Sequence, residues 1–140
     1  MAAPNIVNVA TITGISTFIA GINTGGDGVA VTKNPAGVTT IVSNAAASGK
    51  VLKINSLVAA GIGATTGVTV DIYDKATATG AANTVSIAST ISVPVFSSVV
   101  IIGKENAIYL VEDRSLGVDC QPNAGSINVV VAYEEISSGG

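Results

Sequence analysis

Apolar and polar residues alternate with a period of two along most of this chain, the pattern of half-buried strands, and no segment sustains a helical period. Residues 5–13, NIVNVATIT, set Ile6, Asn8, Ala10 and Ile12 against Val7, Val9 and Thr11. Both faces carry apolar groups, which predicts a strand covered on both sides or lying in an interface. Gly14 closes this strand, and a second short apolar piece, STFIAGI, is predicted over residues 16–22. Residues 38–43 and 51–59 read as further strands, joined by NAAASGK, where one helical turn is the most that so short an alanine stretch supports. In VTVDIYD, Val68, Val70 and Ile72 are expected to point inward, and Thr69, Asp71 and Tyr73 outward. Over residues 84–93 the alternation places Val85, Ile87, Ser89, Ile91 and Val93 on one face, and Pro94 ends the strand or marks an edge. Short strands follow at residues 99–102, 107–111, 116–120 and 127–136, separated by polar turns such as EDRS, and the SSGG tail is expected to fray.

About nine to eleven short strands with recurrent turn signals predict an all-β fold, an antiparallel β-sandwich of jelly-roll or Greek-key type. With 140 residues, the chain fits one sandwich domain, with an N-terminal strand or arm over 1–14 and a loop or hairpin insertion over 23–37. That insertion, NTGGDGVAVTKNPAG, is dense in residues that take positive φ, so turns are the expectation. Asp27 within it is a weak calcium candidate, because neighbouring sequence offers no further carboxylate and calcium wants six to eight oxygens. The stretch GIGATTG lacks the spacing of a nucleotide loop and precedes a strand rather than a helix, so a glycine-rich hairpin between two strands is expected.

Composition narrows the function classes. Hydrophobic residues make up 48% and aromatics only 4%, so the core is built of small branched side chains suited to a pleated sheet. Charged residues are only 11%, against about 25% in an ordinary soluble domain. A surface so poor in charge calls for partners, and a homo-oligomer or larger assembly is expected. The six basic residues are scattered and the net charge is −3, so no nucleic-acid partner is expected. No apolar run is long enough to span a bilayer, and the first residues lack the form of a secretory signal, so neither a membrane partner nor export is expected.

Chemistry is sparse. With no His and a single Cys, Cys120, neither a Ser-His-Asp nor a Cys-His arrangement can be built. Cys120 reads as a small buried hydrophobe. The carboxylate pairs Asp71 with Asp74, Glu112 with Asp113, and Glu134 with Glu135 are expected to diverge and to be solvated strand-end or turn charges. Tyr73, Tyr109 and Tyr133 sit within strand patterns and do not suggest a clustered sugar platform. No catalytic residue, cofactor or metal is therefore assigned, and the chain is expected to work as a surface.

Three stretches carry a family resemblance: MAAPNIVNVATITG, SGKVLKINSLVAA with GVTVDIYD, and the long ending ISVPVFSSVVIIGKENAIYLVEDRSLGVDCQPNAGSINVVVAYEEI. Together they resemble small structural proteins of tailed phages, especially marine and cyanobacterial ones. The family pattern L-x-x-G-D-S-L falls on residues 110–116, where Asp113 and Arg114 replace Gly-Asp, and the 23–37 segment reads as an insertion. The resemblance implies a virion component, assembled in the host cytoplasm, whose partners are the major capsid protein or other virion proteins. Its compact form favours a capsid decoration or cement protein. A tail, neck, fibre or baseplate component and a glycan-binding module are the alternatives. The candidate assembly contacts are Ile6, Val7, Val9 and Ile12, on the N-terminal strand.

Overall fold

A computed structural model describes residues 9–22, 39–62, 66–76, 83–121 and 127–138. Among them run nine strands: β1 (Val9–Ile22), β2 (Thr39–Asn44), β3 (Lys50–Gly61), β4 (Thr66–Tyr73), β5 (Thr84–Val93), β6 (Ser98–Ile102), β7 (Ile108–Leu110), β8 (Arg114–Gln121) and β9 (Ile127–Ser138). A 3₁₀ turn covers Lys104–Asn106. One sheet has the order β1-β9-β3-β6, with β7 pairing on β3, and the other has the order β2-β8-β4-β5. All the ladders within the two sheets are antiparallel. With the short β7 set aside, the pairings nest, β4 with β5, then β3 with β6, β2 with β8 and β1 with β9. This is a jelly roll, within the sandwich class expected from the strand pattern.

The two sheets face each other across a core of Val42, Leu52, Ile54, Leu57, Val68, Val70, Leu116, Val118, Val129 and Val131, with further aliphatics packed around them. Val68 and Val70 point inward as the alternation of VTVDIYD requires, and Ile72 packs against the same cluster. Branched aliphatics alternate with other residues along each central strand, so each strand gives one row to the core.

Four local expectations are corrected. Gly14 does not end a strand: β1 is continuous through it, paired to β9 from Thr11↔Ser137 to Ile19↔Val129 without a register shift. The glycine-rich stretch after β3 is not a hairpin, because β3 and β4 lie in different sheets and the connection crosses between them. Nor does β5 keep Val85 to Val93 on one face. Register shifts between Val68 and Val70 and between Val70 and Asp71 interrupt the β4/β5 ladder, so Val93 is buried while Val85 is largely exposed and Ala88 joins Ile87 against the core. NAAASGK forms no helical turn but a tight turn with Ala47 at φ 58° and Gly49 at φ 69°.

One end of the sandwich is cross-braced by polar groups from three connections. Buried Asn44 donates from Nδ2 to the carbonyls of Lys50 and Leu110, at 2.9 and 3.0 Å, and its Oδ1 accepts from Ser48 Oγ at 2.6 Å. The Gly49 amide donates to Glu112 Oε1 at 3.1 Å. Asp113 takes the Ala76 amide at 2.9 Å and Lys75 Nζ at 3.2 Å. The polar turn expected at Glu112 to Arg114 thus pins the β2–β3 and β4–β5 connections to the start of β8.

Candidate assembly surface

Charge is distributed unequally between central and edge strands. The central strands carry Lys50 and Lys53 on β3, Asp71 on β4, Arg114 and Asp119 on β8, and Glu134 and Glu135 on β9. The edge strands β1, β2, β5 and β6 carry no charged residue at all. Soluble β-proteins usually do the reverse, placing Lys, Pro or inward charges on edges to prevent foreign strands from pairing there. The edge strands of this sandwich lack that charge.

The outward face of the β1-β9-β3-β6 sheet adds a second feature. Phe18 lies opposite Val130, Val130 opposite Val58, and Val58 opposite Val100, so one row of apolar side chains crosses all four strands. Phe18 is 74% exposed, Val130 48% and Val100 64%. Cross-strand neighbours lie about 5 Å apart, so the row is one connected apolar band. Towards the braced end, Gly14 lies opposite Glu134, Glu134 opposite Lys53 and Lys53 opposite Tyr109, setting a polar row beside the band.

A third exposed apolar feature is the turn between β5 and β6. Phe96 is 89% exposed and holds φ 59°, a conformation costly for a side chain with a Cβ. The turn is locked to the end of β3: the Phe96 amide donates to the Gly61 carbonyl at 2.8 Å and the Gly61 amide to the Ser97 carbonyl at 2.8 Å. Ser97 Oγ also donates to the Pro94 carbonyl at 2.8 Å. The hydrogen bonds hold this strained backbone in place and keep the aromatic ring facing solvent. Nothing in VPVFSS signalled it, because positive φ is usually announced by Gly or Asn.

Of the sequence-derived contact residues, Ile12 lies on β1 and is 59% exposed. Val9 begins β1, paired with Ser138, and its side chain lies outside the described residues, as do Ile6 and Val7. The 23–37 segment with Asp27 also lies outside them, and so does the side chain of Cys120, whose backbone on β8 pairs with Val68. The apolar band and the Phe96 turn were missed by sequence reasoning. A strand pattern shows which residues share a face but not which rows align across strands distant in sequence.

Two of the carboxylates expected to be solvated are corrected. Glu112 is buried and accepts the Gly49 amide. Asp71 is not solvated: it is buried on β4 beside buried Thr69 and Tyr73, diagonally across from Asp119 on β8. Tyr73 Oη donates to Asp71 Oδ2 at 3.5 Å, while Asp71 Oδ1 has no hydrogen-bond partner among the described residues. Burial first, then the negative charges of Asp71 and Asp119, push the Tyr73 hydroxyl well above its ordinary value and keep it a donor. Burial also raises Tyr133, which packs against the core, while Tyr109 is exposed. The three rings form no shared platform. Glu112 and Asp113 diverge to different partners, and Glu135 pairs with Lys50 at 2.9 Å. Among the described residues, no group of three or more acidic or Cys side chains gathers as a metal site. No helix among them is long and apolar enough to cross a membrane.

Neither protein-family models nor curated protein sequences give a match to this chain. Among solved structures, the fold is similar to a chain in the structure of the infectious bursal disease virus Gx strain, with a TM-score of 0.55 and 13% identity. The likeness covers 93% of this chain but 33% of that one, so this chain spans a third of the length of its structural neighbour.

Proposed function

We propose that the chain is a non-enzymatic structural protein of a tailed-phage virion, a decoration or cement protein seated on the major capsid lattice. The observation that carries this reading is the set of edge strands without charge, joined on one sheet by an exposed apolar band. Such a surface suits many weak main-chain and apolar contacts repeated by symmetry, and places no buried charge in them. The jelly roll is an architecture of viral capsid domains, though also of lectins, so fold alone does not decide between them. The likeness to a chain in a virus structure supports the viral reading, as do the phage-like stretches at both ends of the chain. A glycan-binding role gains no support from the dispersed tyrosines.

Quantitative mass spectrometry of purified virions tests the proposal. A decoration protein is present in hundreds of copies per particle and is released from intact heads by mild denaturant. A few to a few dozen copies would instead place it in the neck, baseplate or fibre, and absence from purified particles would end the virion reading.

A further inference from the structure

We infer that β1 is the seam of a two-fold homodimer, in which it pairs antiparallel with β1 of a second copy and Ile12 of each chain lies opposite Phe18 of the other. This deepens the assembly reading above and rests on it for the use of the surface, but its own test needs no particle.

Over Val9–Ile22, β1 has β9 on one side and, among the described residues, no other strand in its sheet on the other. It contains no charge and no proline, and it is long, so the side-chain devices that blunt an edge are missing from it. The strand is also close to symmetric about its centre. Register shifts against β9 fall between Val9 and Thr11 and between Ile19 and Ile22, leaving a regular stretch from Thr11 to Ile19 whose midpoint is Ile15. Among the described side chains of β1, the two large outward apolar residues, Ile12 at 59% and Phe18 at 74% exposure, stand at equal distances from that same midpoint.

A two-fold axis at Ile15 therefore sets Ile12 against Phe18 and Gly14 against Ser16 on the outward face, and Thr13 against Thr17 on the other. Same-face partners across an antiparallel seam approach to about 5 Å, near enough for Ile12 and Phe18 to shield each other. Sliding the register by one symmetric step in either direction separates them and leaves both apolar groups facing small residues. A foreign strand would need no such palindrome, which is why the occupant assigned is a second copy. Pairing also sets the partner's Ile12 beside the end of the Phe18–Val130–Val58–Val100 row, extending the apolar band across the seam.

Cysteine cross-linking tests the register in a Cys120→Ala background. Ile12→Cys and Phe18→Cys chains are oxidised separately and as an equal mixture. The expected result is at least about tenfold more covalent dimer in the mixture, because like positions are about 20 Å apart across this axis and a disulfide needs Cα atoms within about 7 Å. In sedimentation equilibrium, Ile12→Lys alone and Phe18→Glu alone each weaken the dimer about tenfold, and the double variant recovers it because the introduced charges face each other. Both sites are exposed, and circular dichroism confirms that the variants fold. A monomer at every concentration, or cross-linking no better in the mixture than in the single variants, overturns the pairing. A chain that dimerises in this register yet does not bind particles removes the decoration reading and leaves the seam. A monomer that binds particles removes the seam alone.

Discussion

Tyr73 shows how a residue can be placed correctly by pattern and misjudged in environment. The alternation of VTVDIYD put it on the face opposite Val70, which is right, yet that face is buried at Tyr73 and Asp71. Nothing local to the stretch reveals that cover, because burial on the second face depends on chain brought from elsewhere. The consequence is an alkaline limit on stability. The Tyr73 hydroxyl titrates near 10.0 when unfolded and higher when folded, so above that value the unfolded chain loses its proton first. Stability from this residue is fully present below about pH 10 and is lost as pH rises past it. Asp71→Asn removes one neighbouring charge and converts the carboxylate acceptor into an amide. Tyr73 then titrates closer to its ordinary value, though still above it, because burial is the largest cause. Tyrosinate absorbance during an alkaline titration of the two proteins measures the difference. Asp113 is the residue-scale counterpart on the acid side. It holds φ 57°, and its carboxylate bonds to Ala76 and Lys75 keep it below its ordinary range. The carboxylate ties down a turn that a glycine would have formed without strain.

At the scale of elements, the existence of β4, β8 and β9 was legible, and on β4 so was the inward row of Val68, Val70 and Ile72. Failures fall where the ladder is irregular. The shifts in β5 move side chains between faces, and no sequence signal marks them, since the extra residues fall at Ile87 and within Ser89–Thr90 rather than at a glycine. The break expected at Gly14 failed for a related reason: a Cβ there would meet nothing within 4 Å, so the glycine answers to no turn and no close approach. Gly61 is the opposite case. A Cβ at Gly61 would collide with the Pro94 carbonyl oxygen, a backbone atom that cannot swing aside. Gly61→Ala is therefore expected to destabilise the fold by about 2 kcal/mol, within the usual range for forced overpacking. The displaced turn would also lose its two hydrogen bonds to Gly61, so the Phe96 segment should gain amide exchange ahead of global unfolding. Thermal melts with hydrogen exchange at Phe96 and Ser97 check both parts, and unchanged exchange there would show that the turn is held by something else.

For the whole molecule, low charge content pointed to association, but only the strand order showed where charge is missing. Composition fixes an average; the nested pairing decides that β1, β2, β5 and β6 become edges, and these are the strands without charge. Association through those edges and the Phe18–Val100 band should therefore respond to salt in a particular way. Surface ion pairs weaken as the Debye length falls from about 10 Å at 0.1 M to about 3 Å at 1 M. Contacts made by main-chain hydrogen bonds and aliphatic groups lack that term, and a net charge of −3 on each copy adds a small repulsion that salt screens. Self-association, and binding to particles, should thus hold constant or strengthen across that range. Sedimentation equilibrium at the two ionic strengths gives the answer directly. A tenfold weakening at high salt would move the contact to the polar row of Glu134 and Lys53, leaving the uncharged edges without the role argued for them.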